Sequence, residues 1–506
     1  MVDARHIEAP HIERSEIDGV PVFWTPVDGP RVASLMFRVG RADEPANMGG
    51  ISHLVEHLAL APLSQQDFDH NGFVAPLRTV FHATGTDAQL MDYVGTVCRN
   101  LGQLPLDRII MERRILGQEA ASRSSGSSGM QRWFRYGFRG QGLVGAQELG
   151  LGWLGPAPVA AWSRDWFTRG NAALWWSGEP PADLRLDLPD GDRRPVPPPD
   201  PLPAITFPAR TDLGGDGVSF GFIGVRSAAT RILQDVLVRR LRQDLRFERG
   251  LSYDVGADYD PIQADEALLT IGMDCTRVDA TEVAATVLRT LDALAASGVT
   301  PEEIAREATA FEEGGTQPGG RLGFLDSTTH DALLGRQREA PAEIVAEYRG
   351  VTPEATRAAA ELACRTMLLF APPGPYDDGA VSPYPGWSAG PIQGRTIRPS
   401  GWLVGPKARK DRLIIGPDGI SWVSPDGRCN TVAYAECVAI RHWEGPVREL
   451  WGADGFRVVV DAAEWRGGAD IVAEVDAALP ASLIACDEHG VGALENPKPA
   501  AQRSAG

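Results

Sequence analysis

Histidine is scarce in this chain, 9 in 506 residues, and cysteine is scarcer, with 6. Cys98, Cys275, Cys364, Cys429, Cys437 and Cys486 form no Cys-x-x-Cys pair, which excludes a zinc knuckle and argues against a disulfide frame, so they read as buried thiols. A Lys/Arg-rich stretch is also missing, and the formal net charge is −18, a balance that repels phosphate backbones and anionic bilayers. Neither nucleic acid nor a membrane is expected as a partner. Long apolar runs are absent too, and the N-terminal MVDARHIEAPHIERSEIDG carries charge where a secretory signal needs an apolar core, so the expected location is cytoplasmic.

What is present is the composition of a folded chain, 43% apolar and 23% charged, too long for one ordinary core. Two composition shifts divide it. The run PVPPPDPLP, residues 195–203, reads as a stiff connector, and Pro/Gly-rich residues 372–400 form a second linker. The expected units are residues 1–194, 204–371 and 401–490, followed by a disordered tail, 491–506.

In the first unit, GVPVFW and RVASLMFRVG flank Asp28-Gly29 and suggest a hairpin. Helical spacing follows in GGISHLVEHLAL, AQLMDYVGTVCRNLGQL and LDRIIMERRILGQEAASR, with strands at TVFHATGT and NAALWWSG. The second unit has a similar order: a strand at GVSFGFIGV, a helix over ILQDVLVRRLRQDLRFERG, strands at YDVGADYD and ALLTIGMDC, then the helix ATEVAATVLRTLDALAASG. This order points to an internal duplication of a fold whose residues do not repeat. The third unit is a row of short strands separated by Pro-Asp-Gly turns and ending in the helix ADIVAEVDAALP, a pattern that resembles a pleckstrin-homology-like barrel. The expected class is α+β: two related domains of mixed sheet plus helices, then a small β-rich domain with a C-terminal helix.

The chemistry concentrates at His53-Leu-Val-Glu56-His57. Residues four apart on a helix stand one above the other, so two imidazoles reach one cation, and Glu56 lies on the same face. Zn²⁺ takes neutral imidazoles, and a catalytic zinc needs a third protein ligand. ERRILGQE offers Glu112 and Glu119, seven residues apart and therefore on one helix face. A glutamate pair of this kind is most often a solvated helix edge.

GGISHLVEHLAL followed by ERRILGQE resembles the pitrilysin/insulinase family of inverzincin zinc metallopeptidases, in particular its shorter processing-peptidase-like members; FRVGRADEPANMGG matches that family's entry to the zinc helix. The resemblance implies His53, His57 and Glu119 as zinc ligands, Glu56 as general base and Glu112 as helper carboxylate. Asn71 and Thr79 occupy the places of the family's Asn and Thr around the active-site strand, Asn71 as a substrate contact, although the usual Ala after Asn is Gly72 here. In the second unit, LRFERGLSYDV resembles the motif whose Arg and Tyr contact the substrate carbonyl, implying Arg246 and Tyr253 as catalytic and substrate-binding residues. A guanidinium and a phenol both donate hydrogen bonds to an oxyanion. The resemblance covers about three quarters of the chain and stops before the third unit.

These matches imply a zinc-dependent endopeptidase that cleaves short or unfolded peptides, leader or presequence-like segments among them. Larger members enclose substrate between two halves, and this chain corresponds to one. A homodimer is therefore expected, with Arg246 and Tyr253 of one copy facing the zinc of the other; a heterodimer with a related subunit stays open. The alternative is a non-catalytic assembly or docking subunit of the same fold.

Overall fold

The computed structural model describes residues 11–63, 67–122, 126–336, 340–376, 379, 381–400, 410–443 and 445–486, and the expected tail lies outside them. The first sheet contains β1 (Glu13–Ile17), β2 (Val20–Trp24), β3 (Arg31–Phe37), β4 (Asp69–Val74), β5 (Thr79–Gly85) and β6 (Ala172–Trp176), in the order β1-β2-β6-β3-β5-β4. Between β3 and β4 lies α1 (Ile51–Leu60); α2 (Asp87–Gly102), α3 (Ile109–Ser122), α4 (Gly126–Tyr136) and α5 (Pro156–Trp166) fill the stretch between β5 and β6.

The expected hairpin about Asp28-Gly29 does not form. β6 inserts between its arms, pairing parallel with β2 and antiparallel with β3. The two runs have the composition of paired strands, but Ala172–Trp176 is the partner that buries both. A turn signal reports a reversal of the chain and says nothing of what enters the gap.

The second unit repeats the plan. It comprises β7 (Ala209–Thr211), β8 (Val218–Val225), α6 (Ala228–Leu241), β9 (Val255–Pro261), β10 (Glu266–Met273), α7 (Ala280–Ser297), α8 (Pro301–Thr316), α9 (Pro318–Leu333), α10 (Pro341–Arg349), α11 (Pro353–Thr366), β11 (Leu368–Phe370) and β12 (Ser382–Pro383). Its sheet order, β12-β7-β11-β8-β10-β9, matches the first position for position. Parallel β7–β11 answers parallel β2–β6, and α6 after β8 answers α1 after β3. Only the outer strand differs: β1 precedes its partner in an antiparallel pair, whereas β12 follows and runs parallel.

Each unit also lends a helix to the other. One face of the first sheet packs on its own α1, α2 and α5, and the opposite face, with Phe23, Met36, Val80 and Trp175, is covered by Leu325 and Leu333 of α9. In return α4 lies across the second sheet, where Gln131 donates to the Leu368 carbonyl at 3.0 Å and Arg135 to the Thr366 carbonyl at 2.9 Å. Both sheet faces are thus buried, which is why β6 is apolar throughout instead of alternating.

The third unit holds β13 (Arg395–Ile397), β14 (Arg412–Gly416), β15 (Gly419–Val423) and β16 (Cys429–Ala433) in one sheet. A second sheet contains β17 (Cys437–Trp443), β18 (Val447–Gly452), β19 (Arg457–Asp461) and β20 (Ile484–Cys486), with α12 (Gly468–Ala478) before the last strand. Its core of Leu413, Ile420, Leu450, Val458, Ile471 and Val475 is separate from the cores of the other units. Among the described residues, no single helix is long and apolar enough to cross a membrane.

Candidate metal centre

The start of α1 is set by a carboxylate from outside the helix. Gly50 caps it in the left-handed region, φ +93°, and having no side chain it leaves the first amides open. Buried Glu44 fills that role, its two oxygens accepting from Gly50 N at 2.7 Å and Ser52 N at 2.9 Å. Arg38 and Asp43, both fully buried, form a two-pronged ion pair at 2.5 and 2.9 Å that fixes the turn leading there. With its entry fixed, α1 turns His53, Glu56 and His57 toward α3.

His53, His57 and Glu119 offer ligand atoms that all lie within 4.8 Å of one another. Nε2 of His53 stands 3.4 Å from Glu119 Oε2, and Nε2 of His57 stands 3.7 Å from it. The imidazoles meet edge to face, with centroids 5.0 Å apart. Each ring turns its other nitrogen to a second carboxylate: His53 Nδ1 faces Glu148 Oε1 at 3.3 Å and His57 Nδ1 faces Glu112 Oε2 at 3.4 Å. A carboxylate at Nδ1 keeps the proton there and leaves the Nε2 lone pair for a cation. Two imidazole nitrogens and one carboxylate oxygen on one point form a donor set that Zn²⁺ takes in catalytic sites, so the residues fit the ion.

Glu56 lies beside the donors, its Oε2 3.8 Å from His53 Nε2. The backbone of β4 presses against it: a Cβ at Gly72 would come within 2.4 Å of Glu56 Oε1, so the missing side chain there leaves room for this carboxylate. Arg108 holds Glu112 at 2.9 Å. Burial alone pulls the pKa of His53 down, but Glu148, Glu56 and Glu119 outweigh it and the net shift is upward. For His57, burial and the charge of His53 prevail over Glu112 and Glu119, and its pKa falls. Glutamates thus surround the rings, a field that draws in a cation. His53 and Glu56 are buried, whereas the Glu119 side chain is 35% exposed.

The other expected residues are not among the clustered donors. Asn71 sits on β4, the edge of the first sheet, exposed, with its carbonyl accepting from Tyr93 OH at 2.9 Å. Thr79 opens β5 and is buried, donating to the Val39 carbonyl at 2.8 Å. Arg246 lies in the wider π-helical turn Arg242–Glu248 after α6, and Tyr253 in the bend before β9. The Arg246 guanidinium stands over the rings of Tyr253, at 4.9 Å, and Phe247, at 5.3 Å, and both aromatics are strongly exposed. These two residues contact each other and not the histidine cluster of their own chain.

Glu148, Arg41 and Glu44 belong to the site although no spacing in the sequence announces them. Arg41 joins the two carboxylates, meeting Glu44 at 3.4 Å and forming a close ion pair with Glu148. Helical phase relates residues within one element; Arg41 and Glu44 share one short turn, and only the tertiary fold brings Glu148 to them.

With the geometry described, likenesses to known proteins acquire meaning. Residues 217–311 match the family described as Peptidase M16 inactive domain. That stretch, which lies within the second of the two related units, contains no histidine and none of the clustered residues. A protease from Helicobacter pylori superposes with a TM-score of 0.59 at 16% identity, over 72% of this chain and 100% of its own. The first half of the periplasmic protease PqqL from Escherichia coli gives 0.56 at 14%, over 72% and 93%. A chain of complex III2 from Candida albicans gives 0.58 at 12%, over 72% and 96%. No curated protein sequence matches the chain. The fold, two related α+β units, is the one these M16 peptidase half-chambers share, and residues 217–311 of the second unit match the M16 inactive domain.

Proposed function

We propose that the protein is a zinc-dependent endopeptidase acting on short or unfolded peptides. The observation that carries this reading is the convergence of His53, His57 and Glu119 within 4.8 Å, with the Glu56 carboxylate beside them. A bound Zn²⁺ would supply Lewis acidity at the scissile carbonyl and acidify the attacking water. Glu56 takes a proton from that water and hands it to the leaving amine, a transfer suited to a carboxylate shielded from bulk solvent. Glu112 and Glu148 hold the two rings in orientation through Nδ1. Strand β4 is a sheet edge beside α1, and a peptide added there gains main-chain hydrogen bonds without demanding a particular side-chain sequence. Leader or presequence-like segments are extended and fit that mode.

The reading includes a homodimer. Arg246 and Tyr253 form an exposed cation–aromatic platform, and Tyr253 is 76% exposed. In a second copy they would face the histidine cluster of the first and donate to the oxyanion of the tetrahedral intermediate.

The competing reading, a non-catalytic assembly or docking subunit, draws on the likeness to a chain of complex III2. The word inactive in the matched family counts less toward it, because the match covers only residues 217–311, a stretch without histidine that excludes the clustered residues. Digestion of an unfolded peptide by wild type and by Glu56→Gln separates the two. Cutting by wild type alone, with metal bound in both, is the expected result; no cutting by either favours the assembly role, and equal cutting removes Glu56 as the base.

A further inference from the structure

The segment joining α4 to α5 carries Glu148 and has little to stiffen it. Residues 137–153 include glycines 137, 140, 142, 145, 150 and 152 and form only the short turns Gly140–Gly145 and Leu149–Gly152. Such a chain loses much conformational entropy when fixed and needs outside contacts to hold one shape. On one side Arg41 provides them, donating to the carbonyls of Leu143 at 3.1 Å and Ala146 at 3.2 Å while it pairs with Glu148.

The other side is held by the last domain. Phe138 N donates to the Ala453 carbonyl at 2.9 Å, and Gly137, at φ +72°, leaves no space there: a Cβ would lie 2.2 Å from that same oxygen. The Trp451 ring lies 4.8 Å from Phe138 and 6.1 Å from Trp133, centroid to centroid. Ala439 and Ala485 join Phe138, Leu143 and Leu149 in one buried apolar cluster. Asn47, three residues before the cap of α1, donates to the Ser482 carbonyl at 2.9 Å and accepts from the Trp153 indole at 2.8 Å. The last domain therefore grips both the segment that carries Glu148 and the turn that opens α1. A Cβ at Gly50 would lie 3.0 Å from the Glu148 Cβ, so these two supports touch at the helix cap.

We propose that the C-terminal β-rich domain is a brace for the metal centre: by packing Trp451 and its neighbours under residues 137–153 it sets where the Glu148 carboxylate stands, and thereby how His53 presents Nε2 to a cation. The inference rests on the metal-centre reading above and goes beyond it by giving the last domain a role at the site. Glu148 and Trp451 are positioning residues; neither is placed to meet substrate. Loss of a hydrogen-bond partner on a ligating histidine typically weakens metal affinity about 10–100-fold.

The test uses the full chain stripped of metal. Zn²⁺ affinity is read by competition with a chromophoric chelator, and Co²⁺ is added in place of Zn²⁺ for its visible absorption spectrum. Glu148→Gln is expected to weaken Zn²⁺ binding about 10–100-fold. Trp451→Ala is expected to weaken it by a smaller factor and to alter the Co²⁺ band positions, and the double variant to bind no worse than Glu148→Gln alone, because both act through one contact. Trp451→Phe is expected to restore wild-type affinity. A change in the folded fraction would scale the Co²⁺ bands without moving them. If the last domain melts in Trp451→Ala, the brace is removed outright and the same loss is expected. A zinc-binding wild type with Trp451→Ala indistinguishable from it overturns the brace alone; a wild type that binds no zinc overturns the metal-centre reading as well.

Discussion

Arg38 and Asp43 show what a single pair contributes to the approach to α1. Both are fully buried, and the guanidinium also donates to the carbonyls of Arg194 at 3.3 Å and Pro195 at 3.2 Å. Burial raises the Asp43 pKa despite the pull of Arg38, so the ionised pair stands only because its hydrogen bonds are complete. Asp43→Ala leaves a buried cation without its counter-ion, and a loss of about 3–5 kcal/mol is expected in urea unfolding of the chain. A loss under about 1 kcal/mol would mean that the remaining carbonyls suffice. At this scale the sequence was partly legible. His53, Glu56, His57, Glu112 and Glu119 lie on two helices whose phase can be counted, and the fold brings their side chains together. Glu148 could not be found that way, because it reaches His53 from an irregular glycine-rich turn 95 residues away.

Among elements, the exchanged helices α4 and α9 carry most of what the sequence concealed. α4 buries Gln131, Arg132 and Arg135, polar residues that no periodicity places against a second sheet. Burial pushes the Arg135 guanidinium down to about 10, and it lies 4.5 Å from the Phe207 ring. α9 carries His330, whose Nε2 is shut from solvent with no hydrogen-bond partner among the described residues. Burial, and after it Arg78, Arg226 and Arg38, hold the His330 pKa well below its usual value. The folded chain therefore keeps this ring neutral where the unfolded chain would protonate it. Its contribution is complete above about pH 6.5 and declines as the pH falls below that, by up to about 1.4 kcal/mol per pH unit. His330→Gln is expected to flatten this part of the stability profile between pH 6.5 and 5, measured by denaturant unfolding; an unchanged slope would assign the acid sensitivity elsewhere. Strands β2, β3, β5, β6, β8, β9 and β10, by contrast, were legible as segments though their neighbours were not, as β6 between β2 and β3 illustrates, whereas the short or edge strands β1, β7, β11 and β12 gave no signal of their own.

For the whole molecule, duplication accounts, on the proposed reading, for one half holding the histidine cluster and the other offering a complement to it. The two sheets share an order, yet α6, in the place of α1, has no histidine, and the second unit offers Arg246 and Tyr253 instead. The order of elements made that duplication readable, since topology survives where residues have diverged. If active sites are shared between copies, a mixed dimer of Glu56→Gln and Arg246→Ala chains regains one intact site and recovers up to half of the wild-type rate. Activity no higher than either parent would show that the residues act within one chain. The account depends most on the metal, and titration of the apo chain with Zn²⁺ tests it most directly. One ion per chain is predicted, bound tightly by wild type and by Glu56→Gln and lost in His57→Ala; equal binding by wild type and His57→Ala, or no binding by wild type, would contradict it.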